Sequence, residues 1–226
     1  MRKNMTIDPN RLMQIFSFCR IITTIFISLF ILMSQLKLVL ASSSPFRKML
    51  LERLMVPFET INPDIDETPM KDETPIQLVK RLAIEKAQAV AADYPNSLII
   101  GSDQVALHGK EVVGKPHTHE RAVSQLRAAS GEEIKLFTGL ALINSNTKQV
   151  QSDVIPFTVH FKQLSEEVIE NYLRKEKPYN CAGSVRAEGL GIALLKRFEG
   201  DDPNALIGLP LIRLVSMLEK EDYKLF

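Results

Sequence analysis

From Lys37 onward the sequence predicts an α/β or α+β domain built on a mixed sheet, and three observations predict it. Strand-length apolar runs alternate with segments of helical periodicity. Two long strand candidates, Glu133–Asn144 and Val150–Phe161, flank the polar turn Ser145–Asn146–Thr147–Lys148 and so bring an antiparallel pair into the sheet. Proline and small hydroxyl residues mark several helix starts.

Taken in order, Lys37–Ala41 is a short apolar strand, and Pro45–Leu54 follows as a helix with Met49, Leu50 and Leu54 at helical spacing. Phe58–Ile61 supplies a second strand before the acidic, proline-containing loop NPDIDETPMKDETP. Pro75–Ala92 is the plainest helix, closed off by Pro95. Ser97–Gly101 reads as a buried strand and Thr118–Ala129 as a helix. After the hairpin, Ser165–Arg174 forms a helix with Ser165 as its N-cap and Glu167 in its first turn. Ile192–Phe198 is a final strand and Pro210–Lys220 a final helix. There is no internal repeat or low-complexity tract.

The first 36 residues differ from the rest. Arg2, Lys3, Arg11 and Arg20 precede the uncharged run IITTIFISLFILM, a pattern shared by signal peptides and short membrane anchors. Arg20 breaks the stretch of about 20 apolar residues that spanning requires. Cleavage near Val39–Leu40–Ala41 would remove the first strand. The preferred expectation is an internal start at Met33, with residues 37–226 as one domain in two lobes. That start implies a cytoplasmic protein; a membrane tether follows only if residues 12–34 are translated.

Twenty-eight basic against 27 acidic residues leave a formal charge of +1, unlike the basic balance of a broad nucleic-acid binder. Cys19 and Cys181 provide no disulfide framework and no paired metal-ligand spacing. Motifs of the GxxxxGK[ST], strand-following GxGxxG and GxSxG types are missing. His117 and His119 read as a polar helix cap without an acidic partner nearby, and Cys181 as a small buried residue.

Three features break ordinary structural rules. Ser42–Ser43–Ser44–Pro45 caps a helix, yet Arg47 and Lys48 put cations in its first turn, against the helix dipole. A bound anion would reverse that cost; otherwise the two cations point into water. Lys86 falls on the apolar stripe Val79, Leu82, Ala83, Val90, so it must snorkel outward or meet a negative partner in a cleft. Asp103 closes the run Ser97–Gly101–Ser102, and a carboxylate at a strand's carboxyl end can bind a cation or take a proton from water. Lys115, on the Gly114–Lys115–Pro116 loop, adds another cation. Together these suggest hydrolysis of a small phosphorylated substrate.

The ordered set Ser42-x-Ser44-Pro45-x-Arg47, Asp66-Glu67-Thr68-Pro69, Glu85-Lys86-Ala87, Gly101-Ser102-Asp103, Gly114-Lys115-Pro116, Ala182-Gly183-Ser184 and Gly208-Leu209-Pro210-Leu211 resembles the Maf family of nucleoside triphosphate pyrophosphatases. The resemblance runs from about Lys37 to about Leu218. It implies an elongated, ITPase-like α/β fold with a mixed, strongly curved sheet, flanking helices and a deep central cleft, assembled as a homodimer. It also implies hydrolysis of a nucleoside triphosphate to monophosphate and pyrophosphate with a divalent metal cation, Mg2+ or Mn2+.

In that light Asp103 matches the family's proton acceptor, and Ser42, Arg47, Lys86 and Lys115 would hold the triphosphate. Glu67 and Asp103 would be the metal ligands or water-orienting acids. Three positions separate the family's substrate classes. The dTTP/UTP branch has arginine at the position of Phe46, threonine at that of Gln104 and glutamine at that of Glu188; this chain instead resembles the branch acting on 7-methyl-GTP. An aromatic face suits a base made cationic by N7-methylation, and Glu188 would accept from the guanine N1–H and 2-amino group. Two further expectations stand beside it: a pyrophosphatase for other modified or canonical nucleotides, and a nucleotide-binding regulator of cell division.

Overall fold

The structure is a computed structural model and describes residues 36–226. The basic, apolar N-terminal segment and the alternative start at Met33 lie outside the described residues. Among the described residues no helix is long and apolar enough to cross a membrane.

Among the described residues the sheet has seven strands: β1 (Lys37–Ala41), β2 (Phe58–Ile61), β3 (Ser97–His108), β4 (Glu111–Val112), β5 (Glu133–Asn144), β6 (Val150–Phe161) and β7 (Leu195–Glu199). Their spatial order is β2-β1-β3-β5-β6-β7, with β4 paired to β3. β1 runs parallel to both neighbours, and every other pairing is antiparallel, so the sheet is mixed as expected. The helices are α1 (Pro45–Glu52), α2 (Pro75–Ala91), α3 (His119–Ala129), α4 (Glu166–Glu176) and α5 (Leu211–Glu219).

Helix starts follow the local chemistry. Ser44, Thr74, Thr118 and Ser165 each accept from the backbone N–H three residues on. Thr74 and Gln77 complete a reciprocal capping box ahead of α2. α2 buries Val79, Leu82, Ala83, Ala87 and Val90, the stripe its spacing predicts, and Lys86 is buried with them.

Two expected elements change. β3 does not stop at Gly101 but continues to His108, because residues 98–108 pair with β5 in an uninterrupted antiparallel ladder. Asp103 therefore lies inside a strand rather than at its end. The expected strand at Ile192–Phe198 begins only at Leu195; residues 190–194 wind into a 3-10 turn in which the Gly189 and Gly191 N–H groups both donate to the Arg186 carbonyl.

The lengthened β3 places the site. β1 accompanies it only as far as Gly101, and β4 joins it only from Leu107. Between those points, among the described residues, one edge of β3 has no strand beside it. α2 lies close over this region because Gly101 and Gly139 carry no side chain. A Cβ on Gly101 would stand 2.0 Å from the Ala83 carbonyl oxygen, and one on Gly139 would stand 2.1 Å from that of Val79.

Candidate active site

A cleft of about 720 Å³ opens at the gap in the β3 edge. Ser42, Phe46, Arg47, Glu67, Lys86, Asp103, Gln104, Lys115 and Glu188 all line it, so one cavity holds every site residue expected from sequence. Ala106, Ile134, Leu136, Val159 and Phe161, carried on β3, β5 and β6, give it an apolar floor.

Its polar centre is Lys86. The ammonium reaches Asp103 Oδ1 and Glu67 Oε1, each at 2.7 Å. Lys86 thus resolves its place on an apolar stripe by meeting negative partners in the cleft. Its side chain is 6% exposed and that of Asp103 is 13% exposed, whereas Glu67 is open to solvent at 58%. Glu67 reaches in from the acidic loop, which Arg81 of α2 ties down. The Arg81 guanidinium donates to both Glu73 oxygens, to Glu85 and to the Thr68 carbonyl next to Glu67. Hydrogen bonds from Arg81 hold the Glu73 carboxyl down from an ordinary 4.5 to about 2.

Arg47 belongs to the same centre. Its Nε donates to the Gly208 carbonyl at 2.9 Å, and a terminal nitrogen reaches Ser42 Oγ at 3.5 Å. Desolvation lowers its pKa, opposed by the charges of Asp103 and Glu67. The Ser44 N–H donates to Ser42 Oγ, so the serines shape the loop before α1. Lys48, the other first-turn cation, points into solvent.

Asp103 and Gln104 follow strand alternation and point to opposite faces of β3. Gln104 Nε2 donates to Thr138 Oγ1 at 2.8 Å and to the Ala205 carbonyl at 2.5 Å, and the Thr138 hydroxyl donates to the same carbonyl. With its amide protons engaged, Gln104 supports the 3-10 turn Pro203–Leu206 and offers a ligand its carbonyl oxygen. The Ser102 hydroxyl, also within reach of the Gly208 carbonyl, anchors the next stretch of that wall. The buried Asp202 holds its base by accepting from the Asn204 and Ile212 N–H groups.

At the far end stand Phe46 and Glu188. Glu188 Oε1 accepts from Arg186 Nε at 3.2 Å, and the Arg186 guanidinium lies 5.9 Å over the Phe46 ring. Lys115 is exposed at the rim. Cys181 is a cleft-lining, half-buried thiol rather than a core residue. Burial and the Glu188 charge push its pKa up. His119, expected to lack an acidic partner, has one from distant sequence: its Nε2 lies 3.2 Å from Glu170 and its Nδ1 3.0 Å from the Tyr179 hydroxyl. Arg81, Asp202 and Arg186 escaped sequence reading. The contacts that matter lie apart in sequence, Glu73 eight positions from Arg81, Ile212 ten from Asp202 and Phe46 far from Arg186, while the Arg81–Glu85 helical spacing gave a local hint.

The implied divalent cation can be tested against this donor set. Among the described residues no group of three or more His, Cys, Asp or Glu side chains is placed to hold a metal. Glu67 and Asp103 nevertheless converge, and each keeps a second oxygen beyond its contact with Lys86. Magnesium is commonly held by one or two carboxylates together with waters and substrate phosphates, so the pair fits such an ion jointly with a polyphosphate.

Comparison with known proteins bears on this cleft. The family model described as "Maf-like protein" matches residues 37–221. A Nitrosococcus oceani protein named 7-methyl-GTP pyrophosphatase is 59% identical over 186 residues, covering 82% of this chain and 94% of that protein. Proteins of the same name from Colwellia psychrerythraea and Pseudomonas savastanoi are 56% and 58% identical, covering 81% of this chain and 92% and 96% of theirs. Among solved structures, the Staphylococcus aureus Ham1 protein aligns at a TM-score of 0.37 with 17% identity, over 56% of this chain and 71% of that one.

Proposed function

The chain belongs to the Maf-like protein family, and from that membership and the chemistry of the cleft we propose that it hydrolyses 7-methyl-GTP to 7-methyl-GMP and pyrophosphate. The observation that carries the reading is the buried Lys86 ammonium held between Asp103 and Glu67, next to Arg47 and the start of α1. Cations at that density beside a helix N-terminus suit a polyanion.

In the proposed reaction Arg47, Lys86, Lys115 and the Ser42 hydroxyl hold the triphosphate oxygens and offset charge that develops on them. Asp103 takes a proton from the attacking water. A bond forms from the water oxygen to the α-phosphorus, the α–β bridging bond breaks, and pyrophosphate leaves with that bridging oxygen. Glu67 and Asp103 would hold a divalent cation, which when bound neutralises phosphate charge and orients the chain. Lys86 brings the two acids to a common point.

At the other end Phe46 offers its ring to the base, and the Glu188 carboxylate accepts from the guanine N1–H and 2-amino group. A ring face attracts a cation by about 0.5–2 kcal/mol, which favours an N7-methylated base over a neutral one. Such an enzyme would clear modified nucleotides before they enter nucleic acid. A cytoplasmic homodimer completes the reading, supported by the family resemblance and by Cys181 being the one cysteine after residue 36.

The test is a metal-supplemented assay of purified protein against 7-methyl-GTP, GTP, dTTP and UTP, with release of pyrophosphate as the signal. The expected result is highest kcat/KM with 7-methyl-GTP. A preference for dTTP or UTP would move the chain to the other substrate branch. Binding without hydrolysis of any of the four would favour a nucleotide-sensing regulator.

A further inference from the structure

Arg186 belongs to none of the motifs that define the cleft, yet its guanidinium touches both side chains assigned to the base. It lies over the Phe46 ring and donates through Nε to Glu188 Oε1. A terminal nitrogen also donates to Glu176 Oε1 at 3.1 Å. The side chain is 45% exposed, so it stands at the cleft mouth with solvent beside it.

The chemistry of these contacts matches that of the proposed base. The N1–C2–N2 edge of guanine is itself a guanidine unit, a planar array of N–H donors, and methylation at N7 adds delocalised positive charge. A planar cation with a donor edge is what Phe46 and Glu188 hold in this structure, and it is what 7-methylguanine would bring.

We propose that Arg186 is an internal surrogate for the base: it occupies the Phe46–Glu188 pair until a purine with a guanidine edge displaces it onto Glu176. The inference rests on the assignment of Phe46 and Glu188 to base recognition. Glu176 is built to receive the released guanidinium. Its side chain is only 11% exposed, and its second oxygen accepts from the Leu190 N–H at 2.7 Å. Gly189 lies so close that a Cβ there would stand 2.9 Å from the carboxylate, which fixes the acid against its loop. The contact given up on displacement is a partly exposed cation–ring contact and one 3.2 Å hydrogen bond, both of a kind readily exchanged. Uracil and thymine lack the guanidine edge, so their nucleotides leave Arg186 in place.

Steady-state kinetics of the full chain and of Arg186→Ala, each with 7-methyl-GTP, GTP and UTP, test the exchange. Loss of the competitor lowers KM for 7-methyl-GTP and GTP by a similar factor, roughly threefold to tenfold, with KM for UTP and all kcat values within about twofold of the parent. A raised or unchanged KM for both guanine nucleotides overturns the proposal, since a loop-supporting arginine moves KM in that direction. A second measurement needs no altered fold. The Arg186 Nε–H NMR signal of the unaltered protein, assigned by its loss in the variant, must shift on saturation with 7-methyl-GMP and stay in place with UMP. An unmoved signal at saturation overturns the exchange. Failure of the unaltered protein to hydrolyse or bind any guanine nucleotide sinks the proposed function instead, so the two failures are distinct.

Discussion

Lys86 shows how one residue can contradict its helix and still be required by the site. Asp103, at 13% exposure, is held by Lys86 through one oxygen, and its other oxygen is available to a water. Asp103→Asn keeps the shape and removes the proton acceptor, so kcat with 7-methyl-GTP falls by about 10²–10⁴-fold while affinity for 7-methyl-GMP changes little, as read by stopped assay and calorimetric titration. A variant with full kcat would remove Asp103 from the chemistry. Glu73 makes a pH prediction. Its folded pKa of about 2 lies below the ordinary 4.5, so its contribution is present above about pH 4.5 and is lost as pH falls toward 2. Melting curves of the parent and Glu73→Gln from pH 2 to 6 should therefore differ most at the upper end and converge at the lower. A constant gap across that range would show that the Glu73–Arg81 pair does not titrate this way.

On the scale of elements, the packing of α2 on β3 and β5 decides whether Lys86 can reach Asp103. Gly101→Ala places a Cβ against the Ala83 carbonyl, so the helix must lift. The expected cost is about 1–3 kcal/mol in urea unfolding, with a fall in kcat because Lys86 rides on the lifted helix. Unchanged stability together with unchanged kcat would mean that α2 has slack there. Most elements were legible because their signals are local: caps at Ser44, Thr74, Thr118 and Ser165, the stripe of α2, and the turn between β5 and β6. β3 was cut short because Gly101–Ser102–Asp103–Gln104 looks like a strand end by composition, whereas the ladder with β5 that extends it is non-local. Residues 190–194 carry strand-like apolar residues but turn because the Arg186 carbonyl captures two glycine N–H groups.

Across the whole molecule, nine side chains drawn from positions 42 to 188 line one cavity, and the motif order along the chain had indicated them together. Sequence could not show how they are held. The Arg81 clamp, the Asp202 brace and the Arg186 contact join segments through side chains whose types are common everywhere on protein surfaces. The cavity itself depends on the interval between Gly101 and Leu107 where β3 lacks a neighbour. A longer β1 would zip along that edge and add backbone hydrogen bonds worth about 0.5–1.5 kcal/mol each, and it would fill the space proposed for the nucleotide. The cleft is in this sense an unfinished sheet: the fold forgoes part of its attainable stability there and leaves the edge of β3 open to a ligand rather than to a strand.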